Sequence, residues 1–219
     1  LSTGVYCLTR AFLDAKAPVL PTDTEVMLFA IGLGLQDILT PQQATTPTFT
    51  KDGVIYRPDF VLKLRKDEYH ELKTTRMSLK TLLEDLPETW REYIAGGCYI
   101  REVLTYNLST LLLMGDYKPP FPKIYSEVLV FEPDELQANW DMILARKAVY
   151  DTSMSSGRIP TPFKYCKKWE CKNCRYKLQC DAMTMVEARC AGAGVCSPRG
   201  GMDAIIAQAE KDIEELWPK

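Results

Sequence analysis

Residues 54–76 read VIYRPDFVLKLRKDEYHELKTTR, and their pattern decides the fold. Apolar and β-branched residues recur at short intervals on either side of the acidic Asp67-Glu68 pair, so the stretch predicts two adjacent β-strands with that pair at the turn. Asp59 falls on the first strand, Glu71 and Lys73 on the second. Successive side chains of a strand point to opposite faces, which brings Glu71 and Lys73 together and sends His70, Leu72 and Thr74 the other way. Two carboxylates and an ammonium can then converge. Hard divalent cations take oxygen ligands, polarise a phosphodiester and lower the pKa of an attacking water. Lys73 is the group to steady that water or the developing phosphorane charge.

Pro58-Asp59 followed by Glu71-Leu72-Lys73 resembles the signature of the PD-(D/E)XK nuclease superfamily. The resemblance implies a restriction-endonuclease-like α/β core, with a mixed central sheet flanked by helices. It also implies Mg2+ or Mn2+ held by Asp59, Glu71 and the backbone carbonyl of Leu72. ELK is a common tripeptide and RPD a common turn, so these residues do not carry the reading alone.

Outward from this stretch the chain alternates helical and extended patterns. Residues 2–16, STGVYCLTRAFLDAK, predict an amphipathic helix carrying Cys7. Residues 25–39, EVMLFAIGLGLQDIL, predict a helix so apolar that burial on most sides is expected. A linker follows, and Lys51-Asp52-Gly53 reads as a turn. Past Arg76 a helix beginning at Leu79 stops at Pro87, and residues 88–114 predict one long helix with a break at Gly96-Gly97. Residues 123–131 predict a strand and residues 132–150 a helix with Leu136, Trp140, Ile143 and Leu144 on one face. That order describes an α/β core with a mixed sheet. As one nuclease domain over residues 1–219 it divides into N-terminal helices (1–40), a core (48–150) and a cysteine-rich segment with a final amphipathic helix (158–219).

The 219 residues, 46% apolar, suffice for one well-packed domain with an appendage. A net charge of -2 gives no global attraction for a polyanion, so any nucleic-acid surface must be local. No apolar run approaches the roughly 18 residues that cross a bilayer, so no membrane partner is expected. The stretch after Leu1 has no secretory pattern, and eight cysteines without one argue for a reducing, cytoplasmic setting and metal ligation over disulfides.

Four of those cysteines lie in FKYCKKWECKNCRYKLQC: Cys166, Cys171, Cys174 and Cys180. The last three are spaced C-x2-C-x5-C, and the two-residue gap lets both thiolates of a tight turn reach one metal. A tetrahedral ion or a cubane cluster needs a fourth ligand, for which Cys166 is the nearest candidate and Cys7 the farthest. Cys98, Cys190 and Cys196 have no partner at ligand spacing. A distant N-terminal cysteine, a nuclease motif and a C-terminal C-x2-C-x5-C, in that order and with Trp169 two residues before Cys171, resemble the iron–sulfur branch of RecB-like nucleases. That branch includes CRISPR-associated four-cysteine exonucleases, AddB-type helicase-nucleases and phage-borne relatives. The resemblance implies a 4Fe-4S cluster held by Cys7, Cys171, Cys174 and Cys180, and partners in recombination, repair or CRISPR adaptation. Spacing alone leaves Zn2+ open as the alternative.

Two departures from that branch stand out. The histidine expected on the helix before the hairpin is Gln36, a weak metal ligand at best. The Q-x-x-x-Y motif expected after the ELK strand lacks its glutamine, leaving Tyr93 or Tyr99 as a phosphate contact or as core. Lys164, Lys167, Lys168, Lys172, Arg175 and Lys177, with Arg158 and interleaved with Phe163, Tyr165, Trp169 and Tyr176, form a strip able to neutralise phosphates and stack bases. The same strip reads equally as a solvated collar around the cysteines. The expectation is a metal-dependent deoxyribonuclease, an exonuclease on single-stranded or frayed ends. The alternatives are a non-catalytic DNA-binding adaptor on the same fold and a zinc-stabilised structural module.

Overall fold

Pro58 splits the expected first strand in two, because it cannot donate to a ladder and directs the chain from one sheet into another. The computed structural model describes residues 1–63, 67–113, 123–172 and 174–193, of which 187–193 are described for backbone alone. They belong to two compact units, Leu1–Arg175 and Tyr176–Lys219.

Within the first unit β1 (Phe49–Lys51) and β2 (Val54–Tyr56) form an antiparallel hairpin. Its turn residues Asp52 and Gly53 both have positive φ, at 51° and 71°, as a two-residue hairpin turn requires. A separate sheet has the order β3 (Phe60–Lys63), β4 (Asp67–Thr75), β5 (Thr105–Leu112), β6 (Lys123–Val130). β3 and β6 run antiparallel to their neighbours, while β4 and β5 are parallel, joined by a crossover through α4 (Leu79–Glu84) and α5 (Glu88–Arg101). The unit is thus a mixed four-stranded sheet flanked by helices. Asp67 and Glu68, expected in the turn, are the first residues of β4. The connection at 64–66 lies outside the described residues.

β5 corrects the long helix expected over residues 88–114. The helix stops where Glu102 takes a left-handed conformation (φ 57°, ψ 40°) and the Val103 amide returns to the Cys98 carbonyl at 3.1 Å. Beyond that cap Tyr106, Leu108, Thr110 and Leu112 alternate into the core, a period of two within an apolar run long enough to pass for helix. The core lies on this face of the sheet, where Tyr69, Tyr106, Leu108 and Leu129 meet Ile94, Ala95 and Cys98 of α5. Trp140 and Ile143, on α6 (Pro133–Ser156), pack with Val5 and Val54 in an adjoining cluster. Gly97 is required here: a Cβ on it would stand 2.5 Å from the Tyr56 ring.

The N-terminal segment forms two helices rather than one, α1 (Ser2–Val5) and α2 (Leu8–Lys16). Extended backbone at Tyr6 interrupts them, and Cys7 caps the second by accepting the Arg10 amide on its sulfur at 3.4 Å. α3 (Asp23–Leu39) starts at a capping box between Thr22 and Glu25. The expected burial of α3 does not hold, since Met27, Phe29, Leu33 and Ile38 are exposed. A helix laid on one face of a sheet covers only the side it turns to that face, however apolar its circumference. α7 (Lys168–Cys171) closes the unit.

In the second unit α8 (Lys177–Ala193) carries Cys180 in its first turn and a Lys177–Asp181 ion pair at 2.7 Å. Cys190 is on this helix. Cys196 and the helix expected over residues 202–216 lie outside the described residues. Among those described, no helix is long and apolar enough to cross a membrane.

Candidate active site

The last β3–β4 pair is Phe60↔His70, so from Glu71 onward the edge of β4 on the β3 side is free of a strand. Asp59, in the bend before β3, fills that edge. Its Oδ2 accepts the Leu72 amide at 2.6 Å and its Oδ1 accepts the Gln36 side-chain amide at 3.1 Å. N–H and C=O of one strand residue point to the same edge, so the Leu72 carbonyl also faces this side. Burial raises the Asp59 pKa, against the opposing pull of Lys73 and the Leu72 amide.

Glu71, only 2% exposed, points to the core face. Its Oε1 accepts from Lys73 Nζ, while its Oε2 is buried with no hydrogen-bond partner among the described residues. Burial lifts its pKa from 4.5 to about 7, Lys73 lowering it and Asp59 raising it. Lys73 is pulled down by burial but held above its ordinary value by Glu71 and Asp59, and its Nζ lies 5.3 Å from the centre of the Tyr93 ring. Glu71 and Lys73 therefore pair on one face of β4, and Asp59 is near enough for its charge to act on both.

Around them stands a wall of tyrosines that the strand pattern does not reveal. The Tyr56 and Tyr106 hydroxyls hydrogen-bond each other, Tyr56 packs edge-on against Tyr93 at 5.6 Å, and the Tyr93 hydroxyl donates to the Arg57 carbonyl at 3.1 Å. The pKa of each is raised, first by burial, with the negative charge of Glu71 among the further causes. Tyr99 is placed apart, stacked on Trp140 at 4.9 Å. His70 faces away from Glu71, stacked on Phe60 at 4.6 Å. Beside them a cavity of about 450 Å³ opens, with Gln36, Asp59, Leu72 and Lys73 in its lining.

Two carboxylates and a carbonyl are a hard-oxygen donor set, and the orphaned Glu71 Oε2 is a buried lone pair that a cation would satisfy. The residues present thus fit Mg2+ or Mn2+. Gln36 stands at the site as a donor to Asp59. Among the described residues no three His, Cys, Asp or Glu side chains form a ready metal-binding group.

Apart from Cys98, the cysteines of the first unit are near enough to act on one another electrostatically. Cys166 and Cys171 have their sulfurs 3.3 Å apart, and the Cys7 amide donates to Glu170 Oε2 at 2.9 Å. Burial raises the thiol pKa of Cys7 and of Cys166. Repulsion from neighbouring thiolates adds to it, Cys174 acting on Cys7, and Cys7 and Cys171 on Cys166. Cys166 joins this group as well as Cys7, while Cys180 belongs to the second unit. Cys98 is buried in the core.

The basic strip is partly neutralised. Lys167 pairs with Glu88 at 2.6 Å and Glu92 at 3.1 Å, and Arg175 pairs with Asp14 and with Glu25, the latter at 3.5 Å. Lys164 lies 5.3 Å from the Tyr165 ring. Arg158, Lys168, Trp169 and Lys172 are exposed.

No family model matches the chain, and no curated protein matches its sequence. Among solved structures it is similar to the crystal structure of SSO0001, at 18% identity and a TM-score of 0.48 over 83% of this chain and 84% of that one. It is also similar to a phage-related exonuclease from Haemophilus somnus 129PT, at 12% identity and a TM-score of 0.45 over 68% of this chain and 82% of that one.

Proposed function

We propose that this chain is a metal-dependent nuclease of the PD-(D/E)XK type, hydrolysing DNA phosphodiesters as an exonuclease on single-stranded or frayed ends. The observation that carries the reading is the Glu71–Lys73 pair on β4 with Asp59 bound to the adjoining Leu72 amide, and with Glu71 Oε2 orphaned. A divalent cation bound by Asp59, Glu71 and the Leu72 carbonyl supplies Lewis acidity and a water of lowered pKa. The chain's own groups supply the geometry. Gln36 and the Leu72 amide hold the Asp59 carboxylate in one orientation. Lys73, kept protonated by Glu71 and packed on Tyr93, holds a positive charge and a proton beside the cavity where a phosphate oxygen would lie. The buried tyrosines keep water from Glu71 on the core side.

A thiolate-held inorganic centre is part of the proposal, a 4Fe-4S cluster with Zn2+ as the alternative. Cys7, Cys171 and Cys174 support it, with Cys180 the fourth ligand of the resembled branch and Cys166, whose sulfur lies 3.3 Å from that of Cys171, the alternative. Its role is that of a staple between the N-terminal helices and the cysteine segment.

End-labelled single- and double-stranded DNA incubated with Mn2+ tests the activity. Wild-type protein is expected to degrade the single strand, and Asp59→Ala or Lys73→Ala to leave it intact. Cleavage by either variant at the wild-type rate removes the assignment; DNA binding by wild-type protein without any cleavage replaces it with the adaptor reading.

A further inference from the structure

The cavity beside Asp59 has walls that phosphate chemistry does not call for. Its volume of about 450 Å³ lies between α3 and the sheet, bounded by Leu28, Phe29 and Leu33 on the helix and by Trp90, Leu111 and Ile124 opposite. It falls within the roughly 300–1,000 Å³ of small-molecule sites. The helical residues are those whose exposure departs from expectation: Phe29 is 53% and Leu33 67% accessible. Both residues are in the lining of this open space. At the near end of that space stand Asp59 and Lys73, and Gln36, Thr74 and Ser109 place amide and hydroxyl groups in its lining.

A sugar-phosphate backbone is polar and gains little from such walls. The part of a polynucleotide that prefers an apolar, aromatic-lined slot with a few hydrogen-bonding groups is the base. A base within a duplex is stacked and paired and cannot enter without being extruded. Resting on the nuclease reading and deepening it, we propose that the cavity between α3 and the sheet is a subsite for an unpaired nucleobase, adjoining the phosphate held at Asp59 and Lys73, with Phe29 and Leu33 as its contact residues. The subsite makes the enzyme selective for single-stranded or frayed DNA.

The test uses the full chain in Ca2+, which replaces Mn2+ to suppress cleavage. An oligothymidylate, an abasic strand of equal length and a blunt duplex are titrated by fluorescence anisotropy. Wild-type protein is expected to bind the oligothymidylate at least about tenfold more tightly than the abasic strand. Phe29→Ala, at an exposed position that spares the core, is expected to weaken oligothymidylate binding about 5- to 100-fold and leave the abasic strand unchanged. Equal affinity for base-bearing and abasic strands, or Phe29→Ala binding as wild type, overturns the proposal. So does wild-type self-association that Phe29→Ala abolishes without affecting DNA, which makes the α3 face a contact between copies. Cleavage in Mn2+ separates the two readings. Equal cutting of both strands removes the subsite and keeps the nuclease, whereas no cutting with base-dependent binding in Ca2+ removes the nuclease and keeps the subsite.

Discussion

The backbone amide of Cys7 donates to the carboxylate of Glu170 at 2.9 Å, joining residues 163 positions apart. That bond draws the start of α2 onto α7, and Arg146 of α6 reinforces it. The Arg146 guanidinium donates to the carbonyls of Gly4 (2.5 Å), Tyr6 (2.6 Å) and Tyr165 (2.9 Å), each within three residues of Cys7 or Cys166. The segments that carry Cys7 and Cys166 are thereby held to each other by hydrogen bonds of the polypeptide itself.

Arg146→Ala removes those charge-assisted bonds and leaves carbonyls in a partly buried place. A loss of about 2–4 kcal/mol in stability is expected, together with reduced bound metal per chain. Urea unfolding and elemental analysis read both quantities; an unchanged midpoint and unchanged metal would show that Arg146 only decorates the segment.

Cys171→Ser is expected to lower stability and to remove the visible absorbance of an iron–sulfur centre. Comparing Cys166→Ser with Cys180→Ser identifies the fourth ligand, because only the variant lacking a ligand loses metal. Colourless anaerobic protein with stoichiometric zinc would eliminate the iron assignment.

For the catalytic groups, Asp59→Ala and Lys73→Ala are expected to reduce cleavage by at least about 100-fold, the scale of losing a charge-stabilising or proton-transferring group. DNA binding in Ca2+ is expected to persist. Lys73→Ala also strips Glu71 of its only described ion-pair partner, so the Glu71 pKa rises further in that variant.

The raised pKa of Glu71 has a signed consequence for stability. Between its ordinary value of 4.5 and about 7 the folded chain retains a proton that the unfolded chain releases. Stability of the cation-free protein therefore falls as pH rises through that window, by at most roughly 1.4 kcal/mol per pH unit for one proton. Asp59, also raised, acts in the same direction, while the elevated Lys73 pKa adds no change until far more alkaline pH. Urea midpoints at pH 5.5 and 8 for wild type and Glu71→Gln check this, and equal slopes in the two proteins would contradict it.

Gly97→Ala sets a Cβ 2.5 Å from the Tyr56 ring, whose hydroxyl is bonded to that of Tyr106 beside Glu71. A cost of about 1–3 kcal/mol is expected, with loss of cleavage as the tyrosine wall shifts. Gly96→Ala is expected to be better tolerated, since its nearest neighbours are the flexible ends of Leu1 and Ile143. Thermal unfolding ranks the two, and the reverse order would count against the packing described.

Residues 54–76 by themselves placed Glu71 and Lys73 on one face and Asp59 nearby, because side-chain alternation along a strand is a property of local backbone geometry. The starts of α3 at Thr22 and of α4 at Ser78 were equally local, resting on capping side chains within three residues. Three decisions belonged to the tertiary structure. The apolar run after Glu102 became a parallel strand because β4 offered it a partner, and an apolar run has no period that excludes either outcome. α3 stayed exposed because burial depends on how many layers meet a helix, which its own hydrophobicity does not set. The tyrosine wall came to its place through contacts between distant residues, and spacing along a chain carries no information about such neighbours until the fold brings them together.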